Sequence, residues 1–214
     1  MPTAVLLSAG LDSAVLAAFE ARSDTVHPIY VRAGLAWEQE EISALERLLL
    51  AAPYRGLAPL TVLHSPVDDV YPATHWALLG QPPAFDTPDE DVYLSGRNII
   101  LLGKAAIYCA QRGIGRISIG PLAGNPFPDA TPEFFATMAR ALSLGLAHNL
   151  DVAAPFAGMS KSGVIRLGID LGVPLALTLS CMNPRGGRHC GSCSKCRERR
   201  DAFIAAGVHD ESLA

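Results

Sequence analysis

The sequence predicts an α/β fold: a doubly wound parallel sheet, covered by helices on both faces, followed by a short metal-binding segment. Three observations carry that reading. Short apolar runs alternate with longer amphipathic segments over residues 3–64, a β-α-β-α-β order that calls for parallel pairing and crossover helices. The first of these units turns through small residues where open sheets of this kind bind ligands, beyond the carboxyl ends of the strands. Four of the five cysteines crowd into residues 181–196.

The elements follow in order. Ala4–Leu7 is a short apolar run and forms the first strand, residues 3–7. Ser8, Ala9 and Gly10 break it, and Asp12 and Ser13 open a helix over residues 13–21 whose apolar part is Ala14–Phe19. Strand, small-residue turn and helix start aim backbone N–H groups and the positive end of a helix dipole at one spot, which suits a phosphate. The bland alternative is an ordinary strand–turn–helix with a serine cap. No Gly-Lys-Ser/Thr follows, so this is not the usual nucleotide P-loop, and a single glycine does not make a dinucleotide fingerprint.

Val26–Arg32 is the second strand, Trp37–Leu50 an amphipathic helix with Ile42, Leu45, Leu48 and Leu49 on one face, and Leu60–Leu63 the third strand. Residues 66–94 hold Pro66, Pro72, Pro82, Pro83 and Pro88 among aromatics, which reads as a long irregular loop, either a functional lid or a solvated connection. Glu90 and Asp91 there fit simple solvation.

Ser95 is the expected N-cap of the next apolar helix, with Arg97 and Asn98 in its first turn and Cys109 as a core thiol. A cation at a helix start opposes the dipole, so Arg97 calls for a bound anion, or else for an acid of the 86–91 loop. Arg116–Gly120 is the fourth strand, and the loop beyond it carries Asn125, Asp129 and Thr131. These residues are placed to orient a substrate or a magnesium ion, or merely to cap the helix that begins at Pro132 and Glu133 and runs to Leu146. Val152–Pro155 is a fifth strand, and Ser160–Gly172 a helix with Lys161 in its first turn.

Cys181, Cys190, Cys193 and Cys196 are spaced C-x8-C-x2-C-x2-C. Four thiolates this close suit one tetrahedral Zn²⁺ with no open position, hence a structural site; an iron–sulfur cluster is the chemical alternative. Gly186, Gly187 and Gly191 permit the reversals, and basic residues over 185–200 offset the charge. His189 is a spare ligand that four cysteines make unnecessary. Such an ion would staple a tail too poor in apolar residues to hold its own core.

Composition narrows the classes further. Half of the 214 residues are hydrophobic, 18% are charged, and the net charge is −4, which disfavours a dedicated nucleic-acid binder. No apolar run has the length of a membrane span, and the first strand begins almost at once, so a cytoplasmic protein is expected. Clustered cysteines in that compartment indicate metal rather than disulfides. The expected division is residues 1–178 for a nucleotide-handling domain and 179–214 for a metal-binding segment packed on it.

Ser8, Gly10, Asp12 and Ser13 resemble the Ser-Gly-Gly-x-Asp-Ser loop of the PP-loop ATP pyrophosphatases, with Ala9 standing where that family has glycine. Taken in order with Gly96-Arg97-Asn98, Pro128-Asp129-Ala130-Thr131-Pro132-Glu133-Phe134, Lys161 and the four cysteines, the chain resembles the 7-cyano-7-deazaguanine synthase (QueC/ExsB) family over nearly its whole length. The resemblance implies an adenine nucleotide α-hydrolase-like (HUP/Rossmann-like) fold, a C-terminal zinc site and a homodimer. It implies ATP with Mg²⁺, ammonia and a deazapurine carboxylate as substrates. The acid is adenylated and amidated, and the amide is then activated again and dehydrated to a nitrile.

It further implies roles. Leu7, Ser8, Ala9, Gly10, Leu11, Asp12, Ser13 and Ala14 would hold the ATP phosphates, with Asp12 binding Mg²⁺ or orienting the loop. Arg97 and Lys161 would offset charge on the leaving pyrophosphate; Asn98, Asn125 and Asp129 would meet the substrate. Two stretches depart from the family. Ala33-Gly-Leu-Ala-Trp-Glu38 replaces its Tyr-Gly-Gln-x-His run, and Ala130-Thr131 replaces its Cys-Arg. A relative acting on another carboxylate, a tRNA-thiolating PP-loop enzyme and a zinc-stabilised nucleic-acid-binding module are the competing readings.

Overall fold

A computed structural model describes residues 2–213. Its five strands are β1 Pro2–Leu6, β2 Thr25–Arg32, β3 Thr61–His64, β4 Arg116–Ser118 and β5 Asp151–Ala153. They form one sheet, ordered β3-β2-β1-β4-β5, with every neighbouring pair parallel. The helices are α1 Leu11–Glu20, α2 Glu38–Leu48, α3 Trp76–Leu79, α4 Arg97–Ala110, α5 Pro132–Leu146, α6 Lys161–Asp170 and α7 Ser194–Ala206.

Burial on both sides of the sheet follows from its alternating side chains. In β1, Val5 turns to a core shared with α1, α2, α6 and α7, while Ala4 and Leu6 turn to a second core shared with α4 and α5. That division is the doubly wound arrangement expected. Pro28 is accommodated inside β2 because the Ile29 carbonyl faces β1, accepting from Leu7 N–H at 2.9 Å. Alternation turns Pro28 to the opposite side, where β3 pairs only from Ile29 onward, so no ladder bond is lost. Gly168 lets α6 lie close on α1: a Cβ there would sit 2.8 Å from Val15 Cγ2. Beneath α1, buried Glu20 accepts hydrogen bonds from Arg116 Nη1 at 2.8 Å and Ser118 Oγ at 2.7 Å, which satisfies a carboxylate far from the strand tips.

Several element starts differ from expectation. Helix α1 begins at Leu11, two residues early, with Gly10 as N-cap, so Asp12 and Ser13 lie inside its first turn. Ser95 does not cap α4. Gly96, at φ +76°, holds that position, and the first-turn amide is satisfied from the β4 side of the sheet instead. Strand β4 stops at Ser118, short of Gly120. The proline-rich stretch contains α3 and is strapped down: Val67 N–H donates to Ala33 O, and Arg197 Nη1 donates to the carbonyls of Phe85 and Thr87 at 2.8 Å. Among the described residues no helix is long and apolar enough to cross a membrane.

Candidate active site

Strand order reverses between β1 and β4, and the loops leaving these strands diverge there. A cleft of about 320 Å³ opens at that switch point, beyond the carboxyl ends of the strands. Leu7, Ser8, Gly10, Leu11, Asp12 and Ser13 line its floor. Ala9 and Ala14, expected in the same loop, turn away into the core and are fully buried.

The loop is drawn together by its own hydroxyls. Ser8 N–H donates to Ser13 Oγ at 3.2 Å, and Ser13 Oγ–H donates to the Gly10 carbonyl at 3.0 Å. Ala9 adopts φ +60°, a left-handed conformation that costs an L-residue about 1–2 kcal/mol. Its carbonyl accepts from Leu179 N–H at 2.9 Å, and Leu11 N–H reaches Ser180 Oγ at 3.4 Å, so the chain leading to the cysteines is tied to this loop. Ala14 N–H closes the first helical bond on Gly10 O at 2.9 Å, while the Asp12 and Ser13 N–H groups precede any intrahelical acceptor and lie at the cleft end of the helix.

Asp12 and Lys161 come together from opposite ends of the chain. Lys161 Nζ lies 3.1 Å from Asp12 Oδ2 and 2.6 Å from Glu198 Oε1. Burial alone would lower the lysine's pKa, but the two carboxylates outweigh it and hold the ammonium charged. Burial would likewise raise Glu198, yet Lys161 and Lys195 bring it down to about 2. Asp12 Oδ1 is buried with no hydrogen-bond partner. An unpartnered carboxylate oxygen beside a phosphate-suited helix start fits a Mg²⁺ ion arriving with a nucleotide.

The opposite wall holds Arg97, Asn98, Asn125 and Asp129. Asn98 and Asp129 are bonded to each other: Asn98 N–H donates to Asp129 Oδ2 at 3.0 Å and Asn98 Nδ2 to Asp129 O at 2.8 Å. Asp129 therefore caps α4, while Thr131 caps α5. Asn125 Oδ1 accepts from Phe127 N–H at 2.9 Å, closing the loop that carries Phe127 over the cleft. Tyr93 stacks on Phe127, ring centroids 5.2 Å apart. Arg97 does not pair with the 86–91 loop, whose Asp89 is taken by Arg197 at 2.9 Å. Its charge is felt by Glu41, whose pKa it pulls down against burial.

Glu38 and Glu41 are functional candidates that the sequence reading passed over. Both line the cleft and are almost wholly buried. Burial pushes Glu41 up to about 7, against the pull of Arg97 and of the Tyr30 hydroxyl, which donates to Glu41 Oε2 at 2.6 Å. Glu38 accepts from Ala33 N–H and lies 3.5 Å from Arg32 Nε. Their spacing of three residues on the core-facing side of an amphipathic helix was the signal available; as first-turn acids they are also what a helix dipole favours anyway.

Sγ atoms of Cys181, Cys190, Cys193 and Cys196 all lie within 4.8 Å of one another. Bonds of about 2.3 Å to one tetrahedral Zn²⁺ require sulfurs about 3.8 Å apart. The Cys190–Cys196 and Cys193–Cys196 separations are 3.9 and 3.5 Å, so the four cysteines suit a single ion. His189 lies outside the cysteine cluster: its Nε2 accepts from Ser180 N–H at 3.0 Å, and burial beside Arg199 depresses its pKa to about 4. Cys109 is a buried core thiol, pushed up to about 12 by burial.

A family model described as "Queuosine biosynthesis protein QueC" matches residues 3–207. The chain is 33% identical to a 7-cyano-7-deazaguanine synthase of Methanothrix thermoacetophila, over 96% of this chain and 95% of the relative. It is 32% identical to one of Archaeoglobus fulgidus, over 100% and 90%. Among solved structures, the U34-tRNA thiolase NcsA of Methanococcus maripaludis with its [4Fe-4S] cluster superposes with a TM-score of 0.53 at 13% identity, over 100% of this chain and 76% of that one. That likeness is one of fold.

Proposed function

The chain belongs to the QueC family of queuosine-biosynthesis proteins, and on that premise we propose that it is an ATP-dependent C–N ligase acting on a deazapurine carboxylate, 7-carboxy-7-deazaguanine first of all. The observation that carries the reading is the convergence of Asp12, with its unpartnered oxygen, and Lys161 on the N-terminus of α1 at the sheet's switch point. The proposed chemistry needs no protein nucleophile. The substrate carboxylate attacks the α-phosphorus of ATP and pyrophosphate leaves. Ammonia then attacks the acyl adenylate and AMP leaves, giving the amide. The amide oxygen then attacks the α-phosphorus of a second ATP and pyrophosphate leaves; loss of AMP and of both amide N–H protons leaves the nitrile.

In this mechanism the residues bind and orient. The first-turn amides of α1 and the Ser8 hydroxyl hold phosphate oxygens, and Lys161 offsets charge on the departing pyrophosphate. Asp12 would hold a Mg²⁺ ion arriving with the nucleotide, and that ion would supply charge neutralisation for the phosphates. Arg97 faces the reacting carboxylate, while Tyr93 and Phe127 cover the flat base and Asn125 lies at its edge. Asn98 and Asp129 act one step back, by fixing the start of α4 that carries Arg97. Zinc is the proposed occupant of the four cysteines. The close packing of the sulfurs supports a single ion, because a four-iron cluster would place each thiolate on a different metal atom. A thiolation reaction is disfavoured by the burial of Cys109, the one cysteine outside the cluster. The enzyme is proposed to act as a homodimer, which light scattering on the purified protein would decide.

The test is incubation with ATP, Mg²⁺, ammonium and candidate deazaguanine acids, read by mass spectrometry. A nitrile product with AMP release is expected from the wild type, and loss of AMP formation from Asp12→Asn and Arg97→Ala. Full turnover in either variant would remove that residue from the mechanism, and AMP release only with a different acid would redirect the substrate.

A further inference from the structure

Lys161 alone is an incomplete answer to a polyphosphate, because two carboxylates already claim its charge. A second cation stands beside it. Lys195 lines the same cleft and lies 2.6 Å from the other oxygen of Glu198, so that carboxylate holds one lysine on each side. An isolated lysine–glutamate pair at this spacing on a helix surface adds little to stability. This one is placed differently. Its lysine lies between Cys193 and Cys196, whose sulfurs are 3.5 Å apart, in the first turn of α7. The segment before the cysteines is in turn bonded to the loop, through Leu179 N–H to Ala9 O and Leu11 N–H to Ser180 Oγ.

We propose that Lys195 is a second phosphate-binding cation of the nucleotide site, so that the cysteine segment is part of that site as well as a staple for the tail. The proposal rests on the reading of the cleft as an ATP site. Across Asp12, Glu198, Lys161 and Lys195 the formal charges cancel. Engagement of Asp12 with a cation that arrives with the nucleotide therefore leaves the two lysines in excess, turned toward the phosphates. Lys195 adds a charge-assisted hydrogen bond that Lys161, shared between two carboxylates, does not supply.

Calorimetric titration of MgATP into the metal-loaded protein tests this without any acid substrate. Lys195→Ala is expected to weaken MgATP binding by about 10- to 100-fold, the range for losing a hydrogen bond between charged groups. Lys195→Arg should restore most of the affinity and Lys195→Gln should not, with cysteine-bound metal content and melting temperature checked for all three. In turnover, KM for ATP should rise more than kcat falls. Wild-type protein that fails to bind MgATP overturns the nucleotide reading and this inference with it. Wild-type binding matched by Lys195→Ala and Lys195→Gln overturns only the role of Lys195. If Lys195→Ala loses its metal, the Gln-versus-Arg comparison decides, and equal affinities there refute the proposal.

Discussion

Arg199→Met should cost the protein about 3 kcal/mol, at the lower end of the range for removing one partner of a buried ion pair. Arg199 is fully buried in α7. Its guanidinium grips Asp210 twice, Nε to Oδ2 at 2.6 Å and Nη2 to Oδ1 at 3.0 Å. It also donates to Thr178 Oγ1 at 2.7 Å and to the Leu175 carbonyl at 3.0 Å, while its face lies 4.9 Å from the Phe203 ring centroid. Methionine keeps the apolar stem against Phe203 but strands the Asp210 carboxylate, whose side chain is only 7% exposed. Ser212 N–H and Oγ–H still donate to Asp210 Oδ1, and this partial satisfaction is why the lower end applies. For a chain of this length the loss translates into about 6–12 °C in Tm. Thermal unfolding of the metal-loaded protein measures it. Asp210→Leu combined with Arg199→Met should recover most of the loss, since a buried pair can be exchanged for apolar groups at little cost. A single-variant effect below about 1 kcal/mol, or a double variant no better than Arg199→Met, would refute the view that this arginine locks the C-terminal segment.

Other expectations follow from the same geometry. Glu41, raised from its ordinary 4.5 to about 7 by burial, makes the native state hold more protons than the unfolded chain between those values. Its contribution to stability is therefore lost as pH rises through that window, by at most about 3 kcal/mol; denaturant titrations of Glu41→Gln should show a flatter profile there, and an unchanged profile would contradict the assignment. Cys193→Ser should abolish stoichiometric metal binding by elemental analysis and expose α7 to proteolysis while the sheet survives; a retained ion would show that Cys193 is dispensable as a ligand. Ala9→Gly should be close to neutral in thermal stability. Relief of about 1–2 kcal/mol of left-handed strain is offset by about 0.8 kcal/mol for the buried methyl and about 0.4–1 kcal/mol of unfolded-state entropy. A gain above about 2 kcal/mol would mean that alanine is a strained substitute in this loop.

The sheet was legible because its signal is local. β1, β2 and the apolar helices announce themselves through runs and periodicity that tertiary packing had no reason to override. The cysteine cluster was legible for a similar reason, since thiolates at that spacing have few other uses. What failed was local chemistry with two solutions. Ser95 is a good capping residue, but the Asp129 carboxylate, arriving from the loop after β4, bonds the Asn98 amide, and Gly96 then takes the cap in a left-handed conformation open to it. No pattern near residue 95 encodes a partner 31 positions away.

Glu41 and Lys195 were hidden differently. Each has an ordinary local explanation, the one as a first-turn acid favoured by the helix dipole and the other as a charge balancing thiolates. Only the fold shows that Glu41 is buried in the lining of the cleft that Arg97 also lines, and that Lys195 shares Glu198 with Lys161. The distinction has a consequence for the cysteine segment. Had α7 been joined to the rest by apolar contacts alone, an ion there would serve stability and nothing else. Instead Arg199 reaches Thr178 and lies 3.5 Å from Ser180 Oγ, which in turn meets the first amide of α1, while Glu198 reaches Lys161. Both contacts lead from residues beside the clustered cysteines to the phosphate-suited loop. Release of the ion should therefore loosen that loop before it unfolds the sheet, and loss of nucleotide affinity at chelator concentrations that leave the far-ultraviolet circular dichroism intact is the order of events this connectivity requires.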